Sequence, residues 1–308
     1  MSETLIRQLA SGSSAESTAE LEATLHELDI AFRIQNQRLE LVAPLELLDE
    51  TRLLASISDA ARHLITRFGV EWQIGSTNTA LMARTKDAHF NGSVCVAEQQ
   101  TAGKGRRGRS WVSPFARNIY VSFGWCILRQ NMAEALSLYI GMNLVDCLRE
   151  AGLEDVGMKW PNDIIAGEGK LAGILIELEL VASTAYVVAG IGVNLSKESV
   201  LREGVEQSVS AVTDQVNLGR NALCALIIER MVISMQEVTQ QRIAEKIAQW
   251  TSYDRYSGEE VVVLVGEEQV VGINRGIDEG GNLLLDSGGK VRAFGSGEVS
   301  LRKVASKR

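Results

Sequence analysis

The sequence predicts an α+β protein in which helices flank a central mixed β-sheet and a small β-barrel closes the chain. Three observations carry this. Strand-like and helix-like segments alternate through the middle of the chain. Five short strands joined by Gly-rich turns follow Ser257. A length of 308 residues with 45% hydrophobic and 23% charged content suffices for two or three domains with a sizeable buried core.

Residues 4–28 read as helical, broken near Ser11 to Ser14, with Ser14, Glu16, Thr18, Glu20 and Glu22 as helix-start chemistry before Leu21, Leu25 and Leu28. AFRI-QNQ-RLELV reads as a hairpin that Pro44 closes. Apolar spacing predicts one amphipathic helix over 47–68. VEWQI, SVCVAEQ, NIYVSFGWCIL, KLAGILIELEL and AYVVAGIGVNL are strands, while TNTALMARTK and the stretch from Met132 to Ala151 are helices. One long helix is expected from about Asn221 to Trp250, with Leu223, Leu226, Ile227, Met231 and Ile233 on its apolar face. EEVVVLVG, EQVVGINRGID, GNLLLDSG, KVRAFGSG and EVSLRKV form the barrel. Three units result, spanning 1–45, 46–254 and 255–308.

Composition excludes several functions. A formal net charge of −8 disfavours broad nucleic-acid binding. No apolar run approaches the roughly 18 residues that span a bilayer. The start, MSETLIRQLASGSS, lacks the basic segment and apolar core of a secretory signal. Cys95, Cys126, Cys147 and Cys224 form no C-x-x-C pair and read as buried thiols of a reducing cytoplasm. The three histidines are scattered, which argues against a zinc hydrolase or a His-based triad.

Against that acidic background, residues 103–109 read GKGRRGR, with cations at Lys104, Arg106, Arg107 and Arg109. Like charges crowded in a short loop repel unless an anion joins them. Gly103, Gly105 and Gly108 satisfy G-x-G-x-x-G, but RSWVSPFARNIYVSFGW runs through Pro114 into a strand, where a dinucleotide fold requires a helix. Two readings stay open for this loop: a solvated basic hairpin, or a clamp that orders on a phosphate-bearing ligand.

Four further segments carry polar chemistry. Gly75-Ser76-Thr77-Asn78 opens a helix and fits either an N-cap or the lining of a polar pocket. Lys159-Trp160-Pro161-Asn162-Asp163 fits either a tight hairpin turn or a presented carboxylate able to hold Mg²⁺. Lys170 opens the strand KLAGIL, where a cation can stabilise developing negative charge. The glycines of Gly190-Ile191-Gly192-Val193-Asn194 imply close backbone approach to a neighbour or ligand.

Together, SerThrAsn at 76–78, GKGRRGRSW at 103–111, KWPND at 159–163, KLAGIL at 170–175 and GIGVN at 190–194 resemble biotin protein ligases in content, order and spacing. The resemblance runs from about Leu47 to Arg302 and is nearest to the bacterial three-domain form that doubles as biotin operon repressor. It implies a class II synthetase-like catalytic fold, an SH3-like C-terminal barrel and a short, degenerate winged-helix-like N-terminal domain. It also implies a cytoplasmic, AMP-forming ligase. Biotin and ATP with Mg²⁺ would give biotinyl-5′-AMP, and a lysine of the biotin carboxyl carrier protein of acetyl-CoA carboxylase would then take the biotin.

By motif position, Ser76, Thr77, Asn78 and Gln100 would bind the ureido ring, and Lys104, Gly105 and Arg106 would contact biotin and the adenylate phosphate. Arg107, Arg109, Trp111, Asn162 and Asn194 would serve the nucleotide. Lys170, Arg106 and Asp163 would be the catalytic groups, with Asp163 also the candidate at the metal. The resemblance further implies a homodimer promoted by adenylate. A lipoate-type acyl-adenylate ligase and a non-catalytic, DNA-binding biotin sensor are the alternatives.

The chain departs from the family in three places. Lys104 stands where these ligases carry arginine, which keeps the charge and loses a planar bidentate contact. No aromatic residue lies between Tyr186 and Trp250, so Val205, Val209 or Val212 is expected against adenine. The N-terminal unit is short, and residues 1–45 hold seven acids against three arginines, the opposite of a DNA reader.

Overall fold

The computed structural model describes residues 2–128, 135–196, 209–212, 215–266, 268–296 and 299–303. At the N-terminus, α1 (Ser2–Ala10), β1 (Ala15–Glu16), α2 (Ala19–Glu27), β2 (Phe32–Gln35) and β3 (Arg38–Leu41) follow one another, and the strands pair antiparallel in the order β1-β3-β2. Thr18 caps α2, its Oγ1 accepting from Leu21 N at 3.2 Å. The hairpin turns through Asn36 and Gln37, both left-handed at φ 50° and 62°, as a two-residue connection requires. Ile6, Leu9, Leu21, Leu25 and Leu39 form the core of this unit. Only α2 stands between β1 and the hairpin, so no further helix is available as a recognition element among the described residues.

The single helix expected over 47–68 is instead α3 (Glu50–Ser56), α4 (Asp59–Leu64) and the start of a strand. Ile57 is extended, and Ser58 caps a new helix by accepting from Ala61 N at 3.3 Å. Leu53, Ile57 and Ala61 remain buried across the break, so the apolar spacing was a true burial signal that said nothing of backbone continuity.

The body is a seven-stranded sheet. Its strands are β4 (Arg67–Glu71), β5 (Ser93–Ala97), β6 (Ile119–Leu128), β7 (Val156–Lys159), β8 (Asp163–Ala166), β9 (Gly169–Val181) and β10 (Thr184–Val193), in the order β4-β5-β6-β10-β9-β8-β7. Only β4 and β5 pair in parallel among the described strands. Alternation divides the side chains. Val94, Val96, Val121, Phe123, Val187, Ala189 and Ile191 join the main core with α6 (Leu136–Glu150) and α7 (Arg220–Gln236). Cys95 and Val188 face the other way, toward Leu81 of α5 (Thr77–Met82). The functional site lies on this α5 side.

The long helix expected to reach Trp250 breaks as well. It ends at Gln236, and Thr239 starts α8 (Gln240–Ile247) by accepting from Arg242 N at 3.1 Å. Five strands follow: β11 (Glu260–Val265), β12 (Glu268–Ile277), β13 (Leu283–Ser287), β14 (Lys290–Phe294) and β15 (Val299–Lys303). They pair antiparallel in the order β14-β13-β12-β11-β15, and Trp160 Nε1 donates to Gly281 O at 3.0 Å to dock this sheet on the body. Cys95, Cys147 and Cys224 are buried as expected, and burial pushes each thiol up to about 12; Cys126 departs from the expectation by being only half-buried.

One charged cluster ties the body together. Arg220, at the start of α7, is ion-paired with Glu98, and both side chains are nearly inaccessible at 4% and 1%. Arg220 Nε also donates to Asn118 O (2.9 Å), and Glu98 Oε1 accepts from Leu48 N at 2.5 Å. Glu46 accepts from the backbone N–H groups of Arg220 (2.6 Å) and Asn221 (3.0 Å) at the helix N-terminus, where a carboxylate is favoured. Arg220→Met leaves Glu98 charged, buried and unpaired. It should cost about 3–5 kcal/mol of stability in urea unfolding, and adding Glu98→Gln should restore much of the loss.

Candidate functional site

Five sequence-predicted segments converge where α5 meets β6, β9 and β10. Ser76 caps α5 from the extended region, its Oγ 3.5 Å from Thr79 N, so the N-cap reading and the pocket reading both hold for this segment. Ser76, Thr77, Asn78, Gln100, Lys104, Gly105, Arg106, Trp111, Asn162 and Lys170 line one pocket with Gly173, Gly190 and Gly192. Arg107 and Arg109 are exposed and do not line it.

The inner end of the pocket is neutral and hydrogen-bonded throughout. Gln100 Oε1 accepts from Thr77 N (3.0 Å) and Thr77 Oγ1 (3.1 Å), while its Nε2 donates to Ser113 Oγ (3.1 Å). Ser122 Oγ lies 2.7 Å from Thr77 Oγ1 and donates to Asn78 Oδ1 at 2.6 Å. Asn78 Nδ2 donates to Glu177 Oε2 (2.9 Å) and Leu175 O (3.3 Å). Missing side chains make room for this. Gly190 sits opposite Ser122 on β6 and Leu175 on β9, and a Cβ there would collide with Asn78 Oδ1. Gly192 sits opposite Gly173, and a Cβ there would come within 2.5 Å of the Trp111 indole.

The outer end is cationic. Lys170 Nζ is 2.6 Å from Asp163 Oδ1 and 5.1 Å from the centre of the Trp111 ring. Asp163 comes from the 159–163 hairpin, in which Lys159 and Asp163 are cross-strand partners. That segment is thus both a tight turn and a presented carboxylate. Arg106 Nη1 donates to Asn162 Oδ1 at 3.0 Å, and its Nη2 to the carbonyl of Ser296 in the C-terminal sheet. Burial lowers the affinity of Arg106 for its proton, and Asp163 opposes that shift. Burial likewise lowers the Lys159 pKa, again with Asp163 opposing. Trp111 Nε1 is buried with no hydrogen-bond partner among the described residues.

The sequence pattern of the Biotin/lipoate A/B protein ligase family matches residues 71–194, and that of the Biotin protein ligase C terminal domain matches 256–302. The bifunctional ligase/repressor BirA of Escherichia coli is 34% identical over 275 residues, covering 88% of this chain and 83% of that protein. The biotin–[acetyl-CoA-carboxylase] ligase of Mycobacterium tuberculosis is 34% identical over 242 residues, covering 74% of this chain and 86% of that protein. The biotin protein ligase of Aquifex aeolicus, solved with biotin and ATP, superposes with a TM-score of 0.65 at 25% identity over 77% of this chain and 99% of its own. The chain belongs to the biotin protein ligase family.

In this ligase three expectations meet a different geometry. Asn194 is buried outside the pocket, where its Nδ2 donates to Lys170 O (3.1 Å) and its backbone carbonyl accepts from Val212 N (3.1 Å). It therefore fixes the strand that carries Lys170. Of the valines expected against adenine, Val212 is closed into the main core and has no free face. Val209 pairs with Lys170 through the backbone, and Val205 lies outside the described residues. Asp163 is occupied by Lys170, and no cluster of three or more His, Cys, Asp or Glu gathers among the described residues. This donor set does not fit a resident Mg²⁺ site.

Ser113, Ser122 and Glu177 are site residues that sequence reasoning missed. None lines the pocket itself: Ser122 and Glu177 are polar residues within strands that the sheet register brings beside Asn78, and Ser113, in the loop after Trp111, accepts from Gln100. Gly190→Ala should abolish ligand binding in calorimetry and lower the thermal midpoint by a few degrees with the circular dichroism spectrum retained, because the added methyl displaces the buried, hydrogen-bonded Asn78 amide rather than backbone.

Proposed function

We propose that this ligase condenses biotin with ATP–Mg²⁺ to biotinyl-5′-AMP and passes the biotinyl group to a lysine of a carboxyl carrier protein. The observation that carries the reading is one pocket with a neutral hydrogen-bonding inner end and a cationic mouth at Lys170 and Arg106. A cyclic urea suits the first and a carboxylate meeting a phosphate suits the second. In step one, a biotin carboxylate oxygen attacks the α-phosphorus and pyrophosphate leaves. Two anions must approach, and Lys170 and Arg106 lower their repulsion. In step two, the neutral carrier amine attacks the acyl carbon, the C–O bond to AMP breaks, and the amine loses its proton. Lys170 steadies the negative charge on the acyl oxygen, and Asp163, 2.6 Å from Lys170, orients the amine and lies on its proton's path. Lys104 contacts the biotin end, and Arg107 and Arg109 reach the phosphates from outside the pocket. The three units are 1–45, 46–254 and 255–308, the second holding the chemistry.

The first unit, with its acidic balance and lacking a helix between α2 and the hairpin, is no operator reader in this reading. A gel shift with the biotin operator, in biotin and ATP at low salt, should show no sequence-specific retardation; tight specific retardation would overturn this. Lys170→Ala and Arg106→Ala should each lower kcat/KM about a hundredfold, the loss typical for one transition-state charge partner. Biotin-dependent ATP–pyrophosphate exchange measures this, and full exchange by both variants would sink the assigned roles. Mass analysis of a carrier domain offered biotin or lipoate should find the biotinyl adduct alone.

A further inference from the structure

The hydrogen-bond inventory of Asn78 singles out a residue that no motif contains. Asn78 is 3% exposed, and its amide has two N–H groups and one carbonyl oxygen. Both N–H groups are engaged, one by Glu177 Oε2 at 2.9 Å and one by Leu175 O at 3.3 Å. The opposite orientation would set Oδ1 against a carboxylate and a carbonyl, two acceptors facing an acceptor. Oδ1 therefore turns toward Ser122 and the pocket, where it can accept a further N–H. The second Glu177 oxygen lies 3.7 Å from Lys104 Nζ, so one carboxylate serves both the inner amide and the basic loop. Glu177 itself does not line the pocket.

We infer that Glu177 is a positioning residue of this ligase, locking the Asn78 amide so that the pocket presents an acceptor to a ring N–H of the substrate. The inference rests on the biotin reading above. The lock makes the inner end selective for ligands that donate there, since a ring atom without hydrogen would face Oδ1 unpaired.

Calorimetric titration of biotin into the full chain tests it, with thermal midpoints measured for every variant. Glu177→Ala should weaken biotin binding about tenfold, as loss of a charge-assisted hydrogen bond would. Glu177→Gln keeps an acceptor for Asn78 and should bind within about threefold of the parent, whereas Glu177→Asp, one methylene short, should not. On an Asn78→Ala background, Glu177→Ala should cost clearly less than it does alone, because its main route to the ligand is that amide. Parental affinity in Glu177→Ala, or the same loss with and without Asn78, would overturn the inference. If Glu177→Ala does not fold, the order of the Gln and Asp variants decides, and Asp binding better than Gln is the overturning result. A parent chain that binds no biotin would instead overturn the biotin reading.

Discussion

The buried pair of Arg220 and Glu98 is the constraint on which the body of the molecule depends. It joins parts far apart in sequence: the strap at 46–49, the end of β5, the approach to β6 and the first turn of α7. Charges so deep gain little net stability over well-packed apolar groups, but removing one partner is severe. The pair therefore acts chiefly by forbidding alternatives. Glu98 precedes Gln100 by two residues, and its backbone carbonyl accepts from Ala116 N at 3.0 Å. Both ends of the basic segment, 98–116, are thereby referenced to one buried point.

From that point the pocket is shaped by the absence of side chains as much as by their presence. Gly190, Gly192 and Gly173 face the same side of neighbouring strands, and Asn78, Trp111 and Lys170 occupy the space that three Cβ atoms would take. A flat stretch of sheet becomes a cradle whose floor is backbone. Trp111 Nε1 apart, the polar groups around it then satisfy one another. This fixes the orientation of Gln100, Thr77 and Asn78 before any ligand arrives and leaves little to reorganise on binding.

Much of this was legible in the sequence. Alternation located most strands, although the one expected at VEWQI lies earlier, at Arg67–Glu71, and GIGVN announced a close approach that the geometry bears out at Gly190 and Gly192. The helix breaks were hidden because Ser58 and Thr239 sit inside unbroken apolar spacing, and a cap is decided by local hydrogen bonds that burial periodicity does not report. Ser122 and Glu177 were hidden for another reason. A single polar residue in a strand acquires its role from whatever lies beside it, and register is a non-local property. Asn194 misled in the opposite direction, since a residue at the end of a glycine motif proved to brace Lys170 rather than to line the pocket.

The basic loop is held by unlike means at its two ends. Beyond Trp111, the chain enters the N-terminal core, where Phe115 is fully buried with its ring 4.6 Å from that of Trp72. At the other end, Arg106 rests on neutral acceptors, the Asn162 amide oxygen and the Ser296 carbonyl. Lys170, by contrast, is held by a carboxylate at 2.6 Å. An arriving phosphate can draw Arg106 from neutral partners without breaking an ion pair, and the guanidinium, desolvated already by burial, gains most from a charged one. Arg106 is thus held by neutral partners only, whereas Lys170 is fixed by its ion pair to Asp163.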